Sequence, residues 1–175
     1  MKLVIIGIGI LTAGVIALAD LTPGEVPENV MAKHNAIMGE DCQKDLPSTP
    51  EVYDVGSKAK LYIIPCTMGA YQGSSRAYIS EYDGTMISQV NTLDYSELAN
   101  GVVGSLDLME AAFDPATGIL STFSKGRGMA DCGSSTISKI APSEYGGISI
   151  KTVEVRAKAK CDGKYKDWPV VFKQK

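Results

Sequence analysis

Imidazole is almost absent from this sequence: His34 is the one histidine in 175 residues. That excludes a multi-histidine metal centre and leaves any thiol or hydroxyl nucleophile at most one imidazole base. Cysteine is scarce too. Cys42, Cys66, Cys132 and Cys161 are never closer than a C-x₂₃-C spacing, which is far from the C-x₂₋₄-C pattern of a structural zinc site. No metal and no cofactor are expected. Tandem repeats, low-complexity tracts and a second domain are also missing. Positive charge is in deficit, with 17 Lys/Arg against 20 Asp/Glu, so nucleic acid is not the expected partner.

Long apolar runs are confined to one place. Leu3 to Leu18 carries no charge, follows Lys2, and ends in Ala17-Leu18-Ala19 before Asp20. A short basic start, an apolar stretch and small residues at −3 and −1 predict a signal peptide over residues 1–19, cleaved after Ala19. The run is short for a retained span, which needs about 20 apolar residues, so the mature form is expected to have no membrane span. Residues 20–175 then form a single domain, periplasmic or secreted. In that oxidising setting four cysteines predict two disulfides. Three pairings are open; the simplest joins Cys42 to Cys66 and Cys132 to Cys161, each closing a loop worth roughly 3.5 kcal/mol. Residues 151–175 hold eight Lys/Arg against Glu154, Asp162 and Asp167, a net +5. A solvated strand face is the simpler reading of that tail than an anionic partner.

Along the mature chain, residues 27–40 predict a helix. Pro27 suits its first turn and Gly39 its end, while Val30, Met31, His34, Ile37 and Met38 form one apolar stripe. The period then changes. Glu51–Val55, Lys60–Cys66, Ser75–Tyr82, Thr85–Val90, Ile119–Phe123, Gly128–Ile140 and Gly147–Cys161 read as strands. Asp83-Gly84 predicts a two-residue hairpin turn, and Asp114-Pro115-Ala116-Thr117-Gly118 a chain reversal. Residues 91–104 show no clear pattern. Val153, Val155, Ala157, Ala159 and Cys161 share one parity, which places Cys161 on a buried face. Trp168, Val170 and Phe172 alternate in a last strand. The expected fold is α+β: a mainly antiparallel sheet, curled towards a barrel, with one N-terminal helix.

Four segments carry a family likeness. They are Leu61-Tyr62-Ile63-Ile64-Pro65-Cys66 with Gly69-Ala70-Tyr71, Phe113 to Leu120, Lys125-Gly126-Arg127-Gly128-Met129-Ala130-Asp131-Cys132-Gly133, and Cys161-Asp162-Gly163 before Trp168-Pro169. Their order and spacing resemble the proteobacterial periplasmic family called domain of unknown function 1176. This chain departs from the family pattern in having Gln72 after Gly-Ala-Tyr, where Asn is usual, and Ala130 before Asp-Cys-Gly, where Gly is usual. The resemblance implies an exported, disulfide-bonded, β-rich domain and implies no activity.

The candidate binding residues are Lys125, Arg127, Asp131, Tyr71 and Gln72. Lys125 and Arg127 supply cationic donors within a glycine-rich connection, and Arg127 suits bidentate recognition of a carboxylate or phosphate. The competing reading is a tight β-connection pinned by Cys132, with Asp131 bonding nearby amides. Cys132 is expected in a bridge rather than as a nucleophile, His34 as a satisfied helix residue, and Trp168 in the core. No spacing pairs two carboxylates for acid–base work. The expected function is a non-catalytic binding domain for an envelope protein or glycan. An inhibitor of an envelope-directed enzyme such as lysozyme is the alternative, and an envelope hydrolase is disfavoured.

Overall fold

The computed structural model describes residues 25–38, 41–165 and 168–175. The leader, its expected cleavage point and Gly39 lie outside them, as do the side chains of Ile37 and Met38. The helix α1 runs Glu28–Met38, and its Val30 and His34 are buried. It is fixed by polar contacts at the sheet below: Asn29 Nδ2 donates to the Gly84 carbonyl at 2.9 Å, and Lys33 Nζ to the Ile87 carbonyl at 2.5 Å.

Among the described residues twelve strands follow: β1 (Glu51–Asp54), β2 (Ala59–Met68), β3 (Gly73–Glu81), β4 (Met86–Gln89), β5 (Thr92–Ser96), β6 (Gly101–Ser105), β7 (Leu108–Met109), β8 (Ala112–Asp114), β9 (Ile119–Lys125), β10 (Gly133–Pro142), β11 (Ile148–Lys158) and β12 (Val170–Lys173). One antiparallel sheet has the order β1-β2-β3-β4, with β7 also on β3; a second runs β12-β11-β10-β9-β8; β5 and β6 form a separate hairpin. The mainly antiparallel fold with one helix is therefore present, but no closed barrel is found among the described residues. The chain crosses from one sheet to the other instead of pairing the edge strands, so β4 and β8 are left as edges.

The central strand β2 is buried on both faces, which explains its unbroken apolar run Leu61–Ile64. Leu61 and Ile63 point into a core shared with Ala77, Ile79, Phe113, Leu120 and Ile140 of both sheets. Tyr62 and Ile64 point the other way, into a second cluster with Val30 of α1 and Tyr78. Near its end the β2–β3 register shifts between Pro65 and Thr67. Cys66 sits in that bulge, where the Gln43 amide reaches its carbonyl at 2.7 Å. Cys42 and Cys66 form a disulfide, Cα–Cα 4.4 Å.

Three expectations are corrected. Residues 91–104 are not patternless: β5 and β6 form a hairpin held on the second sheet by hydroxyls. Thr136 Oγ1 donates to the Leu93 carbonyl at 2.9 Å and the Leu93 amide donates to Thr152 Oγ1 at 3.1 Å. The turn after β3 is not a two-residue Asp-Gly loop. Tyr82, Asp83 and Gly84 all take positive φ (50°, 56° and 91°), so the reversal occupies Tyr82 to Thr85. Finally, β11 ends at Lys158 and Cys161 is exposed, because the strand parity that would bury it has already stopped.

Candidate functional site

The turn joining β2 to β3 and the loop joining β9 to β10 lie at the same end of the two sheets, and there the five candidate residues come together. Gln72 Oε1 accepts from the Lys125 amide at 2.8 Å, and Lys125 Nζ donates to the Tyr71 carbonyl at 3.0 Å. The Gly69 amide closes the turn on the Gln72 carbonyl at 2.9 Å. Glu110, which the sequence reading did not single out, braces the same corner. Its Oε1 accepts from the Gly73 amide at 2.9 Å, and its Oε2 lies 3.9 Å from Lys125 Nζ.

The loop between β9 and β10 is built around a buried charge. Asp131 is fully buried, yet it is ionised because Arg127 grips it bidentately. Arg127 Nε donates to Oδ1 at 2.7 Å and an Nη to Oδ2 at 2.6 Å. This hydrogen bonding holds the Asp131 carboxyl well below its ordinary range. Burial opposes the shift, and the Gly163 amide, donating at 2.6 Å, reinforces it. A buried carboxylate without such partners would be prohibitively costly. The cation's own side chain stays 45% exposed.

The loop then closes on the second disulfide. Cys132 and Cys161 are bonded with Cα–Cα 4.8 Å, and the Gly126 amide donates to the Cys132 carbonyl at 2.9 Å. A Cβ at Gly126 would stand 2.8 Å from Cys132 Sγ, so this approach requires glycine. Ala130 adopts φ 56°, the left-handed region where a glycine fits with less strain. The carboxylate of Asp131 and the sulfurs of Cys132 and Cys161 lie within 4.8 Å of one another. The sulfurs are tied up in the disulfide and are not available as thiolate ligands.

Around this braced loop several large side chains face solvent: Met68, Tyr71, Met129 and Tyr165. Gly128 lies under the Tyr71 ring, which a Cβ there would meet at 3.7 Å. Of these four, only Tyr71 was singled out from the sequence. Met129 was legible in principle, as an apolar residue inside a glycine-rich polar segment. Tyr165 carried no signal.

The remaining residues weighed from the sequence fall elsewhere. His34 is buried under α1, its Nδ1 3.2 Å from the Tyr78 hydroxyl. Burial, with the positive charge of Arg76 second, lowers its pKa from 6.5. Trp168 is buried and stacks on Phe123 at 5.3 Å. In the basic C-terminal stretch, Arg156 and Lys173 pair with Glu154, and Lys158 with Asp162. Among the described residues no helix is long and apolar enough to cross a membrane.

No curated protein and no solved structure matches this chain. The family model described as "Protein of unknown function (DUF1176)" matches residues 13–175, nearly the whole length, and the chain belongs to that family.

Proposed function

We propose that this is an exported, non-catalytic binding domain that captures an envelope protein or glycan on the surface formed by Tyr71, Met129 and Tyr165 beside Arg127. The observation that carries this reading is a pairing of rigidity with exposure. The two loops are fixed by main-chain hydrogen bonds and by the pairing of Arg127 with the buried Asp131, and the stretch carrying Tyr165 is joined to them through the Cys132–Cys161 disulfide and the Gly163 amide, while Tyr71, Met129 and Tyr165 remain 48%, 56% and 60% exposed. Rigid exposed aromatics flanking an Arg are the residue types that dominate binding hot spots, and preorganisation lowers the entropy lost on association. In this reading Asp131, Gln72 and Lys125 hold the surface, and the exposed part of Arg127 contributes to contact. Export is supported by the apolar run ending in Ala17-Leu18-Ala19 and by two cysteine pairs at disulfide distance.

The test uses the mature protein immobilised against three fractions: peptidoglycan sacculi, detergent-solubilised envelope proteins, and lysozyme. A Tyr71→Ser/Met129→Ser double variant is expected to melt as the parent does and to lose retention on one fraction at least tenfold. Equal retention by parent and variant on every fraction would refute the proposed surface. Retention of lysozyme alone would identify the inhibitor form of the same function.

A further inference from the structure

The opposite end of the two sheets holds a cavity of about 280 Å³, where the turn after β1, the turn after β3 and the β10–β11 connection converge. Its apolar lining includes Pro142 and Ile148, and Lys58, Glu81 and Tyr82 border it; Lys58 makes no ion pair with Glu81 among the described residues. Glu81 is half-buried, and its carboxylate takes part in no hydrogen bond or ion pair among the described residues. Two proximities place these side chains against the β10–β11 connection. Gly147 has φ 75°, and a Cβ there would lie 2.9 Å from Glu81 Oε1, so the carboxylate end lies against this connection. Tyr82, held at φ 50°, sets its hydroxyl 3.9 Å from the Cβ position of Gly146, across the same connection. Non-glycine residues in this backbone region are costly and concentrate where a surrounding structure has use for them.

We infer that this cavity binds a small organic ammonium ion, its charge on Glu81 and against the Tyr82 ring, and its apolar body on Pro142 and Ile148. An unpaired, partly desolvated carboxylate attracts a cation more strongly than an exposed one. An aromatic ring beside it adds cation–π attraction. The volume is close to the lower bound of small-molecule sites, which limits the occupant to about the size of a phenethylamine. The site is remote from the loop surface of the preceding section and stands independently of that reading.

Phenethylammonium, with 3-phenylpropionate as the anion of matched shape, is titrated into the ¹⁵N-labelled mature protein. The expected result is saturable shifts at the Gly146 and Gly147 amides for the amine, with a Kd of about 1–10 mM, and none for the acid. Glu81→Gln, which keeps the shape, should weaken the amine about tenfold or more. Gly147→Val should abolish binding, and its spectrum reports whether the domain is folded. Equal shifts from acid and amine, an unchanged affinity in Glu81→Gln, or no shift at these glycines would each overturn the inference.

Discussion

Replacing Cys132 and Cys161 together by alanine isolates what the second disulfide does. The two cysteines are 29 residues apart in sequence, and the chain-entropy relation for that loop gives about 3.6 kcal/mol at 25 °C. The Cys42–Cys66 separation of 24 gives about 3.5 kcal/mol by the same relation. Loop entropy alone therefore predicts two nearly equal losses, each lowering the melting temperature by roughly 7–14 °C for a domain of this size. The structure predicts a difference in kind. The stretch from Ala159 to Tyr165 has no strand partner, and besides Cys161 it is tied by the Gly163 amide on Asp131 and by Lys158 Nζ, which reaches both Asp162 and the Lys164 carbonyl. Opening Cys132–Cys161 should therefore expose this stretch to proteolysis under native conditions, whereas opening Cys42–Cys66 should leave it protected. Urea unfolding of both double variants, with limited trypsin digestion at Lys160 and Lys164 followed by mass, measures both effects. A loss below about 1 kcal/mol, or no difference in cleavage between the variants, would refute the reasoning.

Ala130→Gly should raise stability by about 0.5–1 kcal/mol, since φ 56° strains alanine by more than glycine loses in chain entropy; a thermal melt checks the sign. His34 titrates with its pKa lowered from 6.5 by burial first and by Arg76 second, so the unfolded chain takes up a proton before the folded one. Stability is then complete above pH 6.5 and falls as pH drops through that value toward the folded pKa. Melts at pH 7.5 and 5.5 should separate in the parent and converge in His34→Gln. Leu61→Ala, at a fully buried position of the shared core, should cost about 2.5–5 kcal/mol in urea unfolding.

How much of this was legible depended on whether apolar residues did the burying. The helix stripe of Val30 and His34 and the β11 alternation of Val155 and Ala157 follow from period alone, and both pairs are buried. On β10 the logic is reversed. Ser134, Thr136 and Ser138 face inward while Ile137 is exposed, because the β5–β6 hairpin is docked through hydroxyls that need acceptors and donors. A reading that looks for apolar alternation misses both that face and the hairpin lying on it. The Cys161 parity failed for a different reason: alternation continues in the sequence after Lys158, but pairing does not.

The candidate loop was legible as a place but not as a mechanism. Glycines and cations marked Lys125 to Gly133, and Arg127 and Asp131 lie within it, while the other partners lie outside it: Glu110 fifteen residues before Lys125, and Tyr71, Gln72 and Gly163 more than thirty residues away. Only the fold brings them together. Arg127 is a structural cation toward Asp131 and leaves its solvent-facing part available for contact. The Asp131 carboxyl, pulled down chiefly by Arg127, contributes stability that is full above its unfolded pKa near 3.8 and is lost only as pH falls through a still lower value. The helix-side cluster around His34 loses stability at a higher pH than this loop does. As acidity rises, the helix contact therefore weakens first, while the surface carrying Tyr71 and Met129 keeps its ionic brace.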